Sequence, residues 1–350
     1  MDKKKLITSL VFIIIVGAVI ISLTVSKKSY AVGTTLVDTV KALNKGSSWS
    51  AGASGVYYTN SHEYRYIGAE VNNYVKFNND LYRIIGVFDE NSHGVSGTEL
   101  VKLIRARSLG GYSWGVYNTD SSTGTYYGYT NDWTGKSTTS PANLSVLLNE
   151  YFYNKTDTSS TYGDCANWTY YFSDNSFKTK DCSGIIAYGI DSSLRGYIET
   201  TTWYLYGSGT SQSKQNWYLC ERGGNSCTSS GPSTGDTSVT SKIGLMYLSD
   251  YLYASGYYAS TDTTTQNKMY FGNKNWLYKG LEWTLTPNVS GMRRVWNVDN
   301  GSAYASEDSF NSDYPNGSRP TFYLKSSVYV TGGNGSFDNP YTIACDNCTE

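Results

Sequence analysis

Residues 72–94 read "NNYVKFNNDLYRIIGVFDENSHG". Two apolar-rich runs, "YVKF" and "LYRIIGVF", flank Asn78-Asn79-Asp80, residue types that tolerate the positive φ a tight reversal demands. A β-hairpin is expected. The next run, "ELVKLIRARSL" at 99–109, places apolar residues on alternate positions, as a further strand would. Strand signals return at the far end as "LEWTLTP", "RRVWNVDNG" and "RPTFYLKSSVYV", separated by turns. No fixed-period repeat appears, which sets aside solenoids and propellers.

Beyond "TTLVDTVKALNKGSSWSAGASG" at 34–55, which reads as a short amphipathic turn or helix running into a Gly/Ser linker, two stretches read as helix. In "SPANLSVLLNEYFYN", Ser140 is placed to cap, Pro141 to open the first turn, and Leu144, Leu147, Leu148 and Phe152 recur at helical spacing. "KIGLMYLSDYLYASG" is expected as a buried strand followed by a helix that Ser249 caps. The fold class is therefore α+β, loop-rich and mostly antiparallel, with few helices.

The N-terminus sets the compartment. "MDKKK" runs into an uncharged apolar stretch at 6–25, long enough to cross roughly 30 Å of hydrocarbon as a helix. Flanking lysines keep that end cytoplasmic, so the remainder is exported on a single-pass anchor. A cleaved signal peptide is the alternative, with "SYA" at 29–31 as its exit site. The expected divisions are a stub at 1–5, an anchor at 6–25, a linker at 26–56, an extracellular globular domain at 57–343 and a tail at 344–350.

The chain has 28 Lys+Arg against 29 Asp+Glu, and residues 1–28 hold five of the lysines and one aspartate. The exported part is thus acidic by about five charges, with scattered basic residues, which argues against nucleic acid as a partner. Tyrosine (34) and glycine (35) are abundant, the vocabulary of a strand-rich domain or of an adaptable binding surface. Six cysteines, Cys165, Cys182, Cys220, Cys227, Cys345 and Cys348, suit an oxidising compartment. Three local bridges are the simplest pairing, though six cysteines allow 15 connectivities. Four of the six fall in a loop-rich region at 157–236. The only close Cys-x-x-Cys, in "ACDNCTE", lacks a second pair at zinc-ribbon spacing and reads as a frayed, disulfide-closed end.

Catalytic patterns fail on inspection. "GYSWG" at 111–115 matches a nucleophile elbow at Ser113, but His62 and His93, the only histidines, precede it, and no helix pattern follows. Both histidines sit in polar, turn-like sequence and read as exposed. No phosphate-cradling glycine loop is present. Trp283 and Trp296 lie on strand-like runs, where a ring more often fills a core. Asn297, Asp299 and Asn300 form a polar turn closing on Gly301, able to offer oxygen ligands to calcium. With Trp296 they make up the candidate ligand site.

Several motifs together, "RYIGAEVNNYVKFNNDLYRIIGVF", "VKLIRARSLGGYSWG", "KIGLMYLSDYLYAS", "NWLYKGLEWTLTP" and "NGSRPTFYLKSSVYVTGGNGSFDNPYTI", resemble a family of uncharacterised bacterial membrane-anchored surface proteins. The order of the C-terminal motifs, a Trp strand, a strand ending in a polar turn, then Gly-x-Arg-Pro, is similar to C-type-lectin-like and formylglycine-generating-enzyme-like domains. The resemblance implies strands that hold ligand-bearing loops. The calcium-lectin triplets Glu-Pro-Asn and Gln-Pro-Asp are absent, and "WNVD" replaces Trp-Asn-Asp, which weakens calcium-dependent sugar binding. Arg319, entering the last long strand, is expected to pair a buried carboxylate or backbone carbonyls. The function expected is adhesion to a glycan or protein without catalysis. The alternatives are an oxidoreductase of the formylglycine-generating type on Cys220 and Cys227, and a surface-layer component.

Overall fold

A computed structural model describes residues 33–50, 52–112, 143–154, 183–209, 213–224, 237–256, 275–289 and 316–350. Shorter pieces are described at 114, 118–120, 125–127, 133, 168–171, 177–180, 230–231, 294–298 and 305–306. The hairpin forms where the sequence puts it, from strands β3 (Tyr74–Phe77) and β4 (Asp80–Phe88). Its turn is one residue shorter than expected. Asn78 and Asn79, at φ 54° and 56°, make the whole reversal, and Asp80 opens the second strand opposite Phe77. Two successive positive φ values match the twist of the flanking strands, and Asn accepts them at little cost.

Strand β4 organises the main sheet. Strand β5 (Leu100–Arg105) pairs along one edge from Leu100 to Arg105. The other edge is shared: β3 takes its first half, and β2 (Tyr64–Ile67) its second through Arg65 and Gly86. A Cβ on Gly86 would lie 2.3 Å from the Tyr64 carbonyl oxygen, so only glycine permits this approach. Strand β1 (Gly55–Tyr58) extends the β2 side. Chain from the C-terminal end closes both flanks: Tyr341–Ala344 lies parallel to β3 and carries Tyr329–Gly332 beyond it, while Thr321–Leu324 pairs with β5. The sheet has eight strands.

A second, five-stranded sheet is built on Glu282–Asn288 and Arg294–Val298, with Ala305–Ser306, Asn316–Gly317 and Gly111–Tyr112. The glycine-rich "GYSWG" thus begins as a strand; Ser113 lies outside the described residues, and Trp114 is buried with Nε1 donating to Thr284 O at 3.2 Å. The described residues form a mixed α+β, strand-rich fold with few helices, and most strand pairs are antiparallel.

Several expectations shift. The short amphipathic turn or helix read within the stretch 26–56 forms as helix Leu36–Lys41, but it belongs to the fold and not to a linker: Thr35 caps it, and Leu36, Val37 and Val40 are buried against the sheet. Covering those three side chains stabilises it by roughly 1.5–3 kcal/mol apiece, which outweighs the glycine-rich sequence that follows. The "SPANLSVLLNEYFYN" helix is α only at Asn143–Val146 and widens to a π-helix over Leu147–Tyr153; Ser140 and Pro141 lie outside the described residues. Its apolar face is buried as expected.

The strand expected at "KIGLMY" does not form. Asn149 takes both backbone groups of Ile243, each at 3.0 Å, which leaves only a single bridge between Gly244 and Thr321. The helix after it, Leu248–Tyr253, begins one residue before Ser249, so Ser249 cannot cap. Instead Leu248 N donates to Thr286 Oγ1, Ser249 N to Glu221 Oε1, and Tyr247 N to Asp250 Oδ2. These side chains satisfy amides that the helix leaves open.

His93 is a further correction. It closes the helix Glu90–His93 and turns inward, fully buried against the Tyr323 ring, with Nε2 bonded to Phe88 O at 3.1 Å. Burial lowers its pKa. His62 is exposed, as read. The C-terminal tail is not frayed: Cys345 and Cys348 are bonded, their Cα atoms 5.6 Å apart, and Lys325 Nζ donates to Thr349 O while Tyr329 Oη donates to Asp346. Residues 1–32 lie outside the described residues, and among the described ones no helix is long and apolar enough to cross a membrane.

Candidate functional site

The centre of the molecule holds a chain of ionised groups. Lys102 on β5 and Arg65 on β2, each almost wholly buried, both reach Asp250 on the helix Leu248–Tyr253, at 2.6 and 2.9 Å. Arg65 also binds Glu63, whose other oxygen accepts from Ser92, and Ser92 Oγ accepts in turn from Arg222 Nε at 3.2 Å. Rings of Phe88, Trp203, Tyr247 and Tyr323 surround the Lys102 ammonium at 4.5–5.4 Å. Burial alone would raise the Asp250 pKa, but Lys102 and Arg65 outweigh it and hold the carboxyl at about 2. Lys102 has a single anion that it shares, so burial prevails and brings its ammonium down to about 8. With Glu221 beside Arg222, the cluster has three cations and three carboxylates. It balances itself.

A cleft of about 660 Å³ opens over one end of this cluster, lined by Asn60, His62, Gln215, Tyr218 and Arg222. Arg222 faces inward more than outward. Its Nη1 donates to Tyr218 O, and the guanidinium stacks on the Tyr218 ring at 3.9 Å. The carboxylates of Asp89 and Glu90 share the rim.

A second cleft, of about 790 Å³, differs in both charge and surface. Arg83, on β4 and 4% exposed, forms part of its wall between the rings of Tyr74 and Trp276, each 4.4 Å away. Its guanidinium donates to Asn73 Oδ1 at 2.7 Å, Trp276 O at 3.0 Å and Val71 O at 3.3 Å. Every one of those acceptors is neutral. Burial therefore pulls the Arg83 pKa down to about 10, and nearby Arg319 adds to the effect.

Lys279 stands at the rim, where loss of water around it and the nearby Arg83 and Arg319 lower its pKa. Lys45 completes three cations against the single carboxylate of Glu70. Phe337 forms the outer lip, 59% exposed, its ring meeting Tyr74 edge-on at 5.5 Å. The floor is fixed by hydrogen bonds: Trp276 Nε1 donates to Tyr66 O at 2.7 Å, and Asn275 bonds Tyr251 O and Leu277 N.

Of the residues singled out from sequence, Trp296 is 1% exposed, edge-on to Trp217 at 5.0 Å, with Nε1 donating to Ser208 O. Trp283 is equally buried and donates to Tyr112 O at 2.8 Å. Asn297 is fully buried, and its amide has no hydrogen-bond partner among the described residues. Asp299 and Asn300 lie outside the described residues, as do Cys165, Cys182 and Cys227. Cys220 is fully buried and disulfide-bonded. No cluster of three metal-ligating side chains occurs among the described residues. Arg319 does what was expected of it: it pairs the buried Glu282 carboxylate at 2.6 Å and donates to Leu277 O.

Arg83 was missed, although its place inside the apolar run "LYRIIGVF" was a signal. A cation in the middle of a buried strand needs partners from elsewhere. No protein-family model, curated protein or solved structure matches the chain.

Proposed function

We propose that the chain is a membrane-tethered extracellular module on a lectin-like fold that binds a glycan or protein ligand in the Arg83 cleft, without catalysis. The supporting observation is Phe337. A phenylalanine left 59% exposed at the mouth of a cleft, beside Tyr74 and above a hydrogen-bonded floor, offers a flat apolar face that the fold itself does not use. Aromatic faces of this kind contribute about 0.5–1.5 kcal/mol beyond the area they cover. The rim supplies Asn72, Glu70 and Lys279, polar groups that orient a ligand. The N-terminal apolar stretch at 6–25 supplies the tether, with the N-terminus cytoplasmic.

The test is binding of the full-length chain, held in detergent, to immobilised glycans and mucins, with Phe337→Ala alongside. Saturable binding weakened about tenfold by the substitution, roughly 1.4 kcal/mol, with Tm unchanged, is the expected result. Binding that ignores Phe337→Ala would place the ligand elsewhere. A chelator arm reads the turn at Asn297, Asp299 and Asn300: loss of binding there would assign the ligand to calcium at that turn instead.

A further inference from the structure

Charge separates the two clefts more sharply than size or shape. The cleft over Arg222 belongs to a cluster whose cations and carboxylates pair off, and it adds Asp89 and Glu90 at its rim. The Arg83 cleft has three cations and one carboxylate, on a chain whose exported part is acidic overall. The excess positive charge is local, so it is not a by-product of composition.

The chemistry of the cations is equally specific. A guanidinium has five N–H donors, and Arg83 directs one bond to each of three neutral oxygens. No carboxylate of the described residues lies within ion-pair distance of it. Arg319, which is also buried, has Glu282, and Arg65 has two carboxylates. Arg83 is thus a buried cation held for lack of an anion only by carbonyls, an amide and two rings, and it lines an open cleft. Lys279 stands on the same cleft with its nearest carboxylate, Glu282, already committed to Arg319. An anion entering here would gain two cations without breaking an existing pair.

The same cleft is aromatic: Phe337 is exposed at the lip, edge-on to Tyr74, whose ring in turn packs on Arg83, and Asn72 and Glu70 line the same cleft. A ligand that fits both halves carries a carboxylate on one edge, an apolar C–H face, and hydroxyls for the amide and the carboxylate. We propose that the cleft selects acidic sugars, a uronic or sialic acid unit whose carboxylate lies at Arg83 and Lys279 while its ring face rests on Phe337. This assignment rests on the reading of the cleft as the ligand site. Glu70 accepts sugar hydroxyls, and it disfavours ligands that carry several adjacent negative charges.

The test uses matched probes. Oligogalacturonate, hyaluronate fragments and sialyllactose are titrated into the full-length chain, each beside its carboxyl methyl ester, which keeps the sugar and removes the charge. At least one acid should bind tenfold or more tightly than its ester. Lys279→Glu should abolish that preference while leaving Tm unchanged; as Lys279 is exposed, this variant keeps the fold where Arg83→Met would endanger it.

Equal binding of acid and ester, still weakened by Phe337→Ala, overturns the acidic-sugar assignment and leaves the binding module standing. Oligoglutamate binding as tightly as the acidic sugars, indifferent to Phe337→Ala, overturns it in favour of acidic peptides. Binding of none of the probes overturns the assignment, and with it the cleft as a saccharide site.

Discussion

Replacing Asp250 with asparagine removes one charge and almost no volume, and it leaves one buried cation unpaired and a second with one carboxylate fewer. Lys102 loses its only carboxylate, at 2.6 Å, and Arg65 keeps only Glu63. Taking one member from a buried ion pair costs about 3–5 kcal/mol, against a total stability of roughly 5–15 kcal/mol. The two cations do not share that loss equally. Lys102, with a pKa of about 8, can discard its proton, which caps its part at roughly 1 kcal/mol at pH 7. Arg65 has no such exit, because a guanidinium does not deprotonate in this range. Most of the penalty therefore falls on Arg65.

Denaturant unfolding of the full-length chain followed by tryptophan fluorescence reads this directly, because Trp203 lies 5.2 Å from the Lys102 ammonium. Asp250→Asn should lower the unfolding free energy by about 3–5 kcal/mol. Adding Lys102→Met should then recover about 1 kcal/mol, since the uncompensated charge is gone and the rings of Phe88, Trp203, Tyr247 and Tyr323 remain to pack on the thioether. A loss below about 1 kcal/mol, or a double variant less stable than Asp250→Asn alone, would refute the view that these charges depend on each other.

Two more outcomes follow from single residues. The Asp250 pKa of about 2 lies below its ordinary 3.8, so the folded state favours the carboxylate; its contribution, roughly 2 kcal/mol, is complete above pH 4 and disappears as pH falls towards 2. Acid titration of Tm should show that loss in the native chain and not in Asp250→Asn. At the hairpin, Asn79→Val forces a β-branched residue to φ 56° and should cost about 1–2 kcal/mol, whereas Asn79→Gly should cost little. Equal Tm values for the two variants would contradict the two-residue turn.

The hairpin was legible because its information is local. Asn78 and Asn79 dictate the reversal, and apolar runs on both sides supply the strands. Trp283 and Trp296 could likewise be placed in the core, since strand context and ring size agree. Lys102 could not. Alternation put it on a strand, but what makes its burial tolerable is Asp250, 148 positions away. Helix Leu36–Lys41 was legible as a short amphipathic turn or helix, but its docking was not, because that depends on the Val328 segment, to which Leu36 N donates. The cleft was harder still. Arg83 and Trp276 are 193 residues apart, and Phe337 arrives on the turn before the last strand. The hairpin window holds Tyr74 and Arg83, but no window of sequence joins them to Trp276 and Phe337.

The most direct measurement is a crystal structure of the chain soaked with the acidic saccharide that binds it most tightly. Density for a sugar ring on Phe337, with its carboxylate within hydrogen-bond reach of Arg83 and Lys279, is the predicted result. Density over Arg222 or at the Asn297 turn, with the Arg83 cleft holding only water, would contradict the account.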